Sequence, residues 1–504
     1  MYYYIPPFSL APLLDNDVFG VFPELFLAIS TMVLLVFGVV WSTSRVHGYP
    51  LLVQTMSWLS VWALLCTLAL CVHMPCHVMV SFVNSFVHDD VTVFFKTLIL
   101  VGACASLLMS MEYVRTSHVN VFEYGILVCL ATCSMLVLVS SYDFIAMYLA
   151  IEMQSLCLYV LASSKRHSEF STEAGLKYFL LGAFSSGILL FGCSLVYGCT
   201  GMTNLEDVAK ALIMVHTMDG MHALQHIGMV LILIGFLFKL TAAPFHFWAP
   251  DVYEGAPTCV TAFFAIVPKI ALLAMVLRLL LGCFYDLLWT WQYVLFVCCI
   301  CSFVIGSFGA MAQKKLKRMM VYSSVGHVGY LLMGLCCGTL EGVHAMLLYL
   351  VLYMVMTITM FATMLACVDH TSTSRLVYVS DLSCLAHSHP IAALTVSICL
   401  FSMAGIPPLA GFCSKFYVFF AAMGASLYSL AILGVLSSVV SCFYYIRVVK
   451  TMYFDVPSHM VTFAPMDHAK AILLALTTWI TLFFFLFPQS VFLWTYKLAY
   501  VCMS

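Results

Sequence analysis

Charge is what this sequence has least of. Of its 504 residues only 8% are Asp, Glu, Lys or Arg, against about 25% in an ordinary soluble domain. That deficit excludes a soluble enzyme, a disordered chain and a nucleic-acid binder. The charges present nearly cancel, with 20 Lys and Arg against 22 Asp and Glu, so the net balance points to neither acidic nor basic partners. Long polar stretches are also missing, and the chain reads as one membrane domain over 1–504. The first residues, MYYYIPPFSLAPLLDNDVFG, have neither the basic start of a signal peptide nor transit-peptide arginines. The 22 cysteines build no paired CxxC framework. The one C-x2-C, Cys298 and Cys301, lies inside an apolar run, where cysteine behaves as a small hydrophobe. There is no GxGxxG after a strand, no P-loop, no HExxH and no pair of bis-histidine helices. No means of binding a nucleotide, a metal or an electron carrier is therefore expected.

What the chain has is apolar length. It is 64% hydrophobic, and runs of ~20 apolar residues, enough to cross a bilayer as a helix, recur from end to end. Helices are expected near 21–41, 51–72, 91–111, 121–139, 142–162, 174–198, 226–248, 257–282, 289–311, 319–337, 342–367, 390–422, 427–453 and 470–496. This is an all-α polytopic membrane protein of about fourteen spans. Loops and helix ends after odd-numbered spans carry Arg45, Arg115, Lys165, Arg166, Lys314, Lys315, Lys317, Arg318, Arg375 and Lys450. Those after even-numbered spans carry Lys210, with Lys497 in the tail. By the positive-inside rule the basic loops face the cytoplasm or mitochondrial matrix, and both termini lie on the opposite side.

Two spans are interrupted. The seventh has Pro244 in FLFKLTAAPFHFWAP, and the twelfth has Gly405, Pro407 and Pro408 in SICLFSMAGIPPLAGF. Proline breaks a helix by removing a donor, and a broken span is tolerated where it lines a cavity. Breaks five spans apart suggest two repeats, helices 4–8 (121–282) and 9–13 (289–453), after helices 1–3 (21–111) and before a last helix (470–496). Five is odd, so the units would be inverted, a common transporter plan.

Charges inside spans cost ~2.5–3.5 kcal/mol each on insertion scales and tend to mark ion or proton paths. Glu152 lies mid-span, and Lys177 lies near the start of the next helix, where the two could pair. Lys239 sits five residues before Pro244, where carbonyls freed by the break would favour a cation. Lys269 follows Pro268, and Lys415 lies seven residues past Pro408. Lysine's ordinary pKa of ~10.4 can fall by several units on burial, which allows exchange near neutral pH. His327, in SSVGHVGY, is either a relay or a satisfied core residue, and His246, beside the first break, has a weaker case of the same kind. His73 and His77, in HMPCH, lie at a helix end and read as interfacial rather than as metal ligands.

These residues fall in stretches with a recognisable family pattern. FKLTAAPFHFWAPDVYEGAPTCVTAFFAIVPKIA, YLAIEMQSLCLYVLA, EAGLKYFLLGAFSSGILLFGCSLVYG, QKKLKRMMVYSSVGHVGYLLMG, FSMAGIPPLAGFCSKFYVFFAAM and SSVVSCFYYIRVVK together resemble one group of antiporter-like proteins. The group is subunit 2 (subunit N in bacteria) of respiratory complex I, the proton-pumping NADH:ubiquinone oxidoreductase. The resemblance runs from about residue 20 to 496. It departs at Cys259, where proline is usual, at Gly326, where a serine often stands, and at 384–390, where a glycine commonly opens the segment.

The resemblance implies fourteen helices in two inverted five-helix units and a proton relay of Glu152, Lys177, Lys239, Lys269, His327 and Lys415. It implies no cofactor in this chain, with flavin, iron–sulfur clusters and quinone held by other subunits. Its implied partners are other membrane-arm subunits, including a neighbouring antiporter-like subunit and small membrane subunits, together with phospholipids. The expected location is the mitochondrial inner membrane, or else a bacterial plasma membrane. The competing readings are a cation/proton antiporter of the same fold and a structural subunit that no longer pumps.

Overall fold

The computed structural model describes residues 18–41, 50–74, 78–116, 122–165, 167–215, 222–367, 377–455 and 466–503. Arg45, Arg166, Arg375 and His77 lie outside them. The N-terminal helices are α1 (Phe22–Trp41), α2 (Pro50–His73) and α3 (Asp90–Thr116), with a short antiparallel hairpin, β1 (Met79–Ser81) and β2 (Phe86–His88), between the last two. The first unit follows as α4 (Glu123–Ser140), α5 (Phe144–Ala162), α6 (Glu169–Thr200), α7 (Leu205–Val215), α8 (His222–Lys239), α9 (Trp248–Gly255) and α10 (Thr258–Arg278). The second is α11 (Leu288–Met311), α12 (Leu316–Cys336), α13 (Leu340–Ala366), α14 (Pro390–Ala404), α15 (Ala410–Gly424) and α16 (Tyr428–Tyr453). α17 (His468–Phe483) and α18 (Gln489–Met503) close the chain.

Among the described residues eleven helices are long and apolar enough to cross a membrane. The α8–α9, α14–α15 and α17–α18 pairs complete fourteen crossings. The first two pairs are the expected broken spans. The third corrects the sequence reading, which takes 470–496 as one helix. Its helix stops at Phe483, and Pro488 precedes Gln489, the first residue of α18. Proline cannot donate the backbone bond needed to continue a helix and opens the next one well. The reading also missed α7 and the hairpin, which are too short to span.

The two units share a connection that the spacing of prolines could not show. In the first, Asp143 just before α5 bridges Asn204 just after α6. In the second, Lys315 just before α12 bridges Tyr378, which follows α13. The second helix of each unit is thus tied at its start to the chain leaving the third. The first bridge lies on the face opposite the basic loops and the second lies among them, so the units are inverted.

The centre is built from α10 and α13, which are buried along nearly their whole length. Lipid gives helices no hydrophobic reason to associate, so close approach through small residues carries the packing. A Cβ on Gly306 of α11 would lie 2.6 Å from the backbone nitrogen of Gly326 on α12. At the basic face, Asp251 and Glu254 on α9 join the two units. Asp251 pairs with Lys177 of α6 (3.3 Å) and Arg318 of α12 (2.9 Å), while Glu254 pairs with Arg318 (3.1 Å) and Lys315.

Candidate functional site

The breaks place charged side chains at mid-depth. α8 ends at Lys239, and the chain turns through Thr241 and Pro244 before α9 begins. α14 ends at Ala404, with Gly405 at φ +90°, a conformation that glycine adopts without strain. α15 then starts against α14. A Cβ on Gly411 would lie 1.8 Å from the Ser402 carbonyl oxygen, so only glycine fits there.

Four of the expected residues lie on one buried axis. The Lys239 Nζ is enclosed and has no hydrogen-bond partner among the described residues. It lines a cavity of about 20 Å³ together with Lys269 of α10, Tyr253 and Gln154. Lys269, 2% exposed, donates to the Tyr353 hydroxyl on α13 at 3.2 Å. Tyr353, Tyr253 and His327 line a second cavity of about 10 Å³. His327 on α12 is held between two phenols, with Nδ1 2.6 Å from the Tyr349 hydroxyl and Nε2 3.2 Å from the Tyr445 hydroxyl. His327 then shares a third cavity, again about 20 Å³, with Lys415 of α15. Each space is of the size that holds an ordered water rather than a substrate.

Lys415 takes the role expected for Lys239. Its Nζ donates to the carbonyls of Met403 (2.9 Å) and Ala404 (3.0 Å), which the break leaves without helical partners. It also lies 5.2 Å from the centre of the Tyr330 ring. In the first unit Trp248 intervenes instead, and its indole Nε1 donates to the Phe238 carbonyl at 2.9 Å. The carbonyl argument for Lys239 is therefore corrected, because a neighbouring indole satisfies a carbonyl of that last turn.

The expected Glu152–Lys177 pair is not formed. Lys177 points to the basic face, 41% exposed, and pairs with Glu173 at 2.7 Å and Asp251 at 3.3 Å. One turn of helix supplies it with Glu173, and α9 supplies Asp251, so it has better partners in water than across the membrane. Glu152, half-buried on α5, accepts from the Ser155 hydroxyl at 3.4 Å on one oxygen, and its other oxygen has no hydrogen-bond partner among the described residues. It lies within electrostatic reach of Lys239. His246 is buried against the Tyr322 ring (6.3 Å between centres) and lines none of the three cavities. Gly326 opens into the third cavity, where a Cβ would meet nothing within 4 Å. The space would admit a serine side chain.

Tyrosine was the residue type the sequence reading overlooked. Tyr349 and Tyr353 lie four apart on one face of α13, and that spacing was available as a signal.

Residues 141–441 match the family model described as NADH:quinone oxidoreductase/Mrp antiporter, TM. NADH-ubiquinone oxidoreductase chain 2 of Marchantia polymorpha is 51% identical over 488 residues, covering 96% of this chain and 99% of that protein. NADH-quinone oxidoreductase subunit N of Paramagnetospirillum magneticum is 42% identical over 474 residues, covering 94% and 95%. This chain belongs to the chain 2/subunit N family. Among solved structures, a chain of respiratory complex I from Thermus thermophilus superposes with a TM-score of 0.77 at 30% identity, covering 93% of this chain and 98% of that one. A chain of the Mrp complex from Dietzia shares the fold, with a TM-score of 0.80 at 19% identity over 97% and 98%.

Proposed function

We propose that this chain is a proton-translocating, antiporter-like subunit in the membrane arm of respiratory complex I. Protons would pass along the axis from Lys239 to Lys269, His327 and Lys415 while NADH reduces quinone elsewhere in the complex. The observation that carries this reading is the continuity of the axis. Three small cavities meet at Tyr253 and His327, and every step between charged groups has a phenol or a cavity beside it. The Lys269 ammonium already donates to Tyr353. A hydroxyl can accept one proton and give up another, so Tyr353, Tyr349 and Tyr445 can serve with water as the intermediate carriers.

The coupling is electrostatic. Two unit charges ~10 Å apart at an effective dielectric of ~20 interact by about 1.7 kcal/mol, roughly 17-fold in proton affinity. A proton arriving at Lys239 therefore disfavours one on Lys269 and drives it onward. Glu152, the carboxylate within reach of Lys239, sets whether that lysine holds its proton. Lys177 anchors the basic face in this scheme and does not exchange protons with Glu152. Flavin, iron–sulfur clusters and quinone belong to other subunits. The partners are neighbouring membrane-arm subunits and phospholipids, and the membrane is the mitochondrial inner one.

Lys239→Ala in native membranes tests the reading. NADH oxidation with quinone and proton uptake into sealed vesicles should fall together, by about tenfold or more, with assembly retained. Wild-type values of both would reject the lysine axis. The second reading, an independent cation/proton antiporter, requires the chain to purify without a flavin- and iron–sulfur-containing arm.

A further inference from the structure

A second buried charge cluster lies among α1, α3 and α4, away from the lysine axis. Lys96 of α3 and Glu24 of α1 form an ion pair of 2.5 Å, with 1% and 2% of their side chains exposed. Ser140 at the end of α4 donates to Glu24 Oε1 at 3.3 Å, and the Oε2 has no hydrogen-bond partner among the described residues. His88, two residues before α3, is buried, and neither of its ring nitrogens has such a partner. The next residue, Asp89, binds the Arg278 guanidinium at 3.1 and 3.2 Å. Asp89 and Arg278 line a cavity of about 570 Å³ at the face opposite the basic loops.

The depth of the cluster follows from helix register. α3 and α10 run antiparallel, with Asp89 against Arg278 and Gly102 against Ile266 and Val267. Lys96 then falls opposite residues 272–273, about one helical turn from the level of Lys269 toward the cavity. A helix clamp alone accounts poorly for this arrangement. Buried ion pairs contribute little net stability and apolar residues can replace them, and a clamp needs neither an open carboxylate oxygen nor a histidine with two open nitrogens.

We propose that Glu24, Lys96 and His88 form a proton-exchange site toward the face opposite the basic loops, with His88 next in the chain to Asp89, which lines the cavity there. His88 takes a proton from water at one ring nitrogen and gives one from the other nitrogen toward the open oxygen of Glu24. The neutral Glu24 leaves the Lys96 ammonium without its counter-charge, and the reverse transfer through His88 returns the proton to water and restores the pair. The charged groups within electrostatic reach of His88 are Lys96 of α3, Glu24 on α1, and Asp89 and Asp90 at the start of α3. Cys71 of α2 and Cys133 of α4 flank the pair, and Arg278 of α10 lies beyond Asp89. The inference rests on the proton-translocating reading above.

The test compares three variants of the complex in sealed native-membrane vesicles, with NADH oxidation, proton uptake and assembly measured on each preparation. The double variant Glu24→Gln, Lys96→Met keeps the volume and removes both charges. His88→Gln leaves the pair intact, and because His88 makes no hydrogen bond among the described residues it disturbs the fold little. Both should assemble and show proton uptake at least twofold lower, with NADH oxidation falling alongside. If the double variant does not assemble, His88→Gln decides alone. Wild-type uptake in the assembled variants overturns the site. Lys239→Ala serves as the reference. If only it lowers uptake, the cluster is a clamp and the axis stands. If no variant lowers uptake, the proton-translocating reading fails as well.

Discussion

Lys239 and Lys415 flank the two breaks in mirrored positions, one before its break and one after, yet they are held differently. Lys415 is fixed by two carbonyls, and Lys239 has only a cavity and the distant charge of Glu152. In the proposed path Lys239 is the adjustable station and Lys415 the anchored one. Tyr353 is the bridge between Lys269 and the histidine cavity. Tyr353→Phe keeps the ring but leaves a buried ammonium short of an acceptor, a cost of ~1–3 kcal/mol. Proton uptake and NADH oxidation should fall together by about fivefold in the assembled complex, and wild-type rates of both would remove Tyr353 from the path. The buried lysines and His327 were legible in the sequence because a charge in an apolar run is costly wherever it sits. The Lys177 partner was not, because helix rotation decides whether a residue near a helix end turns inward or toward water. Glu24 went unread because residues near helix ends can reach water by length alone, and Lys96 was passed over although it lies inside the apolar run of α3.

At the scale of elements, both breaks were visible as prolines in apolar runs, and helix boundaries fell within a few residues of their expected places. What proline could not show is how each break is sealed. Trp248 closes the first, and glycine conformation together with Ser402 closes the second, where the Gly411 amide donates to the Ser402 hydroxyl at 3.0 Å. Gly405→Ala forces a Cβ into a left-handed conformation, a strain of ~1–3 kcal/mol, and presses that atom to 3.0 Å from the Lys415 Cδ. The variant should lower both the melting temperature of the complex and proton uptake, which thermal unfolding and vesicle assays would register. Wild-type behaviour would mean that the second break tolerates another backbone. Gly411→Ala should be more severe, with loss of assembled complex on native gels, because the opposing carbonyl cannot move aside without unwinding α14.

For the molecule as a whole, inversion of the units puts one bridge on each face, and the ion pairs of Asp251 and Glu254 join the units on the basic side. These pairs are partly exposed and solvent-screened, so each adds little stability. Outside the membrane, the Lys210 ammonium and then the Asn84 amide hold the Glu206 carboxyl on α7 below the usual carboxylate range. The stability this adds is present above the ordinary carboxylate pKa and is lost as pH falls through the lowered one. Being exposed, it is small, and Glu206→Gln should shift neutral-pH stability by less than ~1 kcal/mol in thermal unfolding. A large loss would mean that α7 is a structural latch.

Composition and apolar length sufficed for the membrane class and a count of about fourteen spans, and the two proline breaks pointed to the repeat. The lateral course of the proposed axis was not legible, because it depends on tyrosines of α13 and α16 that meet His327 of α12 only once the second unit has folded. One measurement tests that axis most directly. In Lys269→Met vesicles, proton uptake and NADH oxidation are recorded in the same preparation, after native gels have shown intact complex. The account predicts that both fall by about tenfold or more, because the bridging lysine is shared by the paths on either side. Uptake and oxidation at wild-type rates in the intact complex would contradict it.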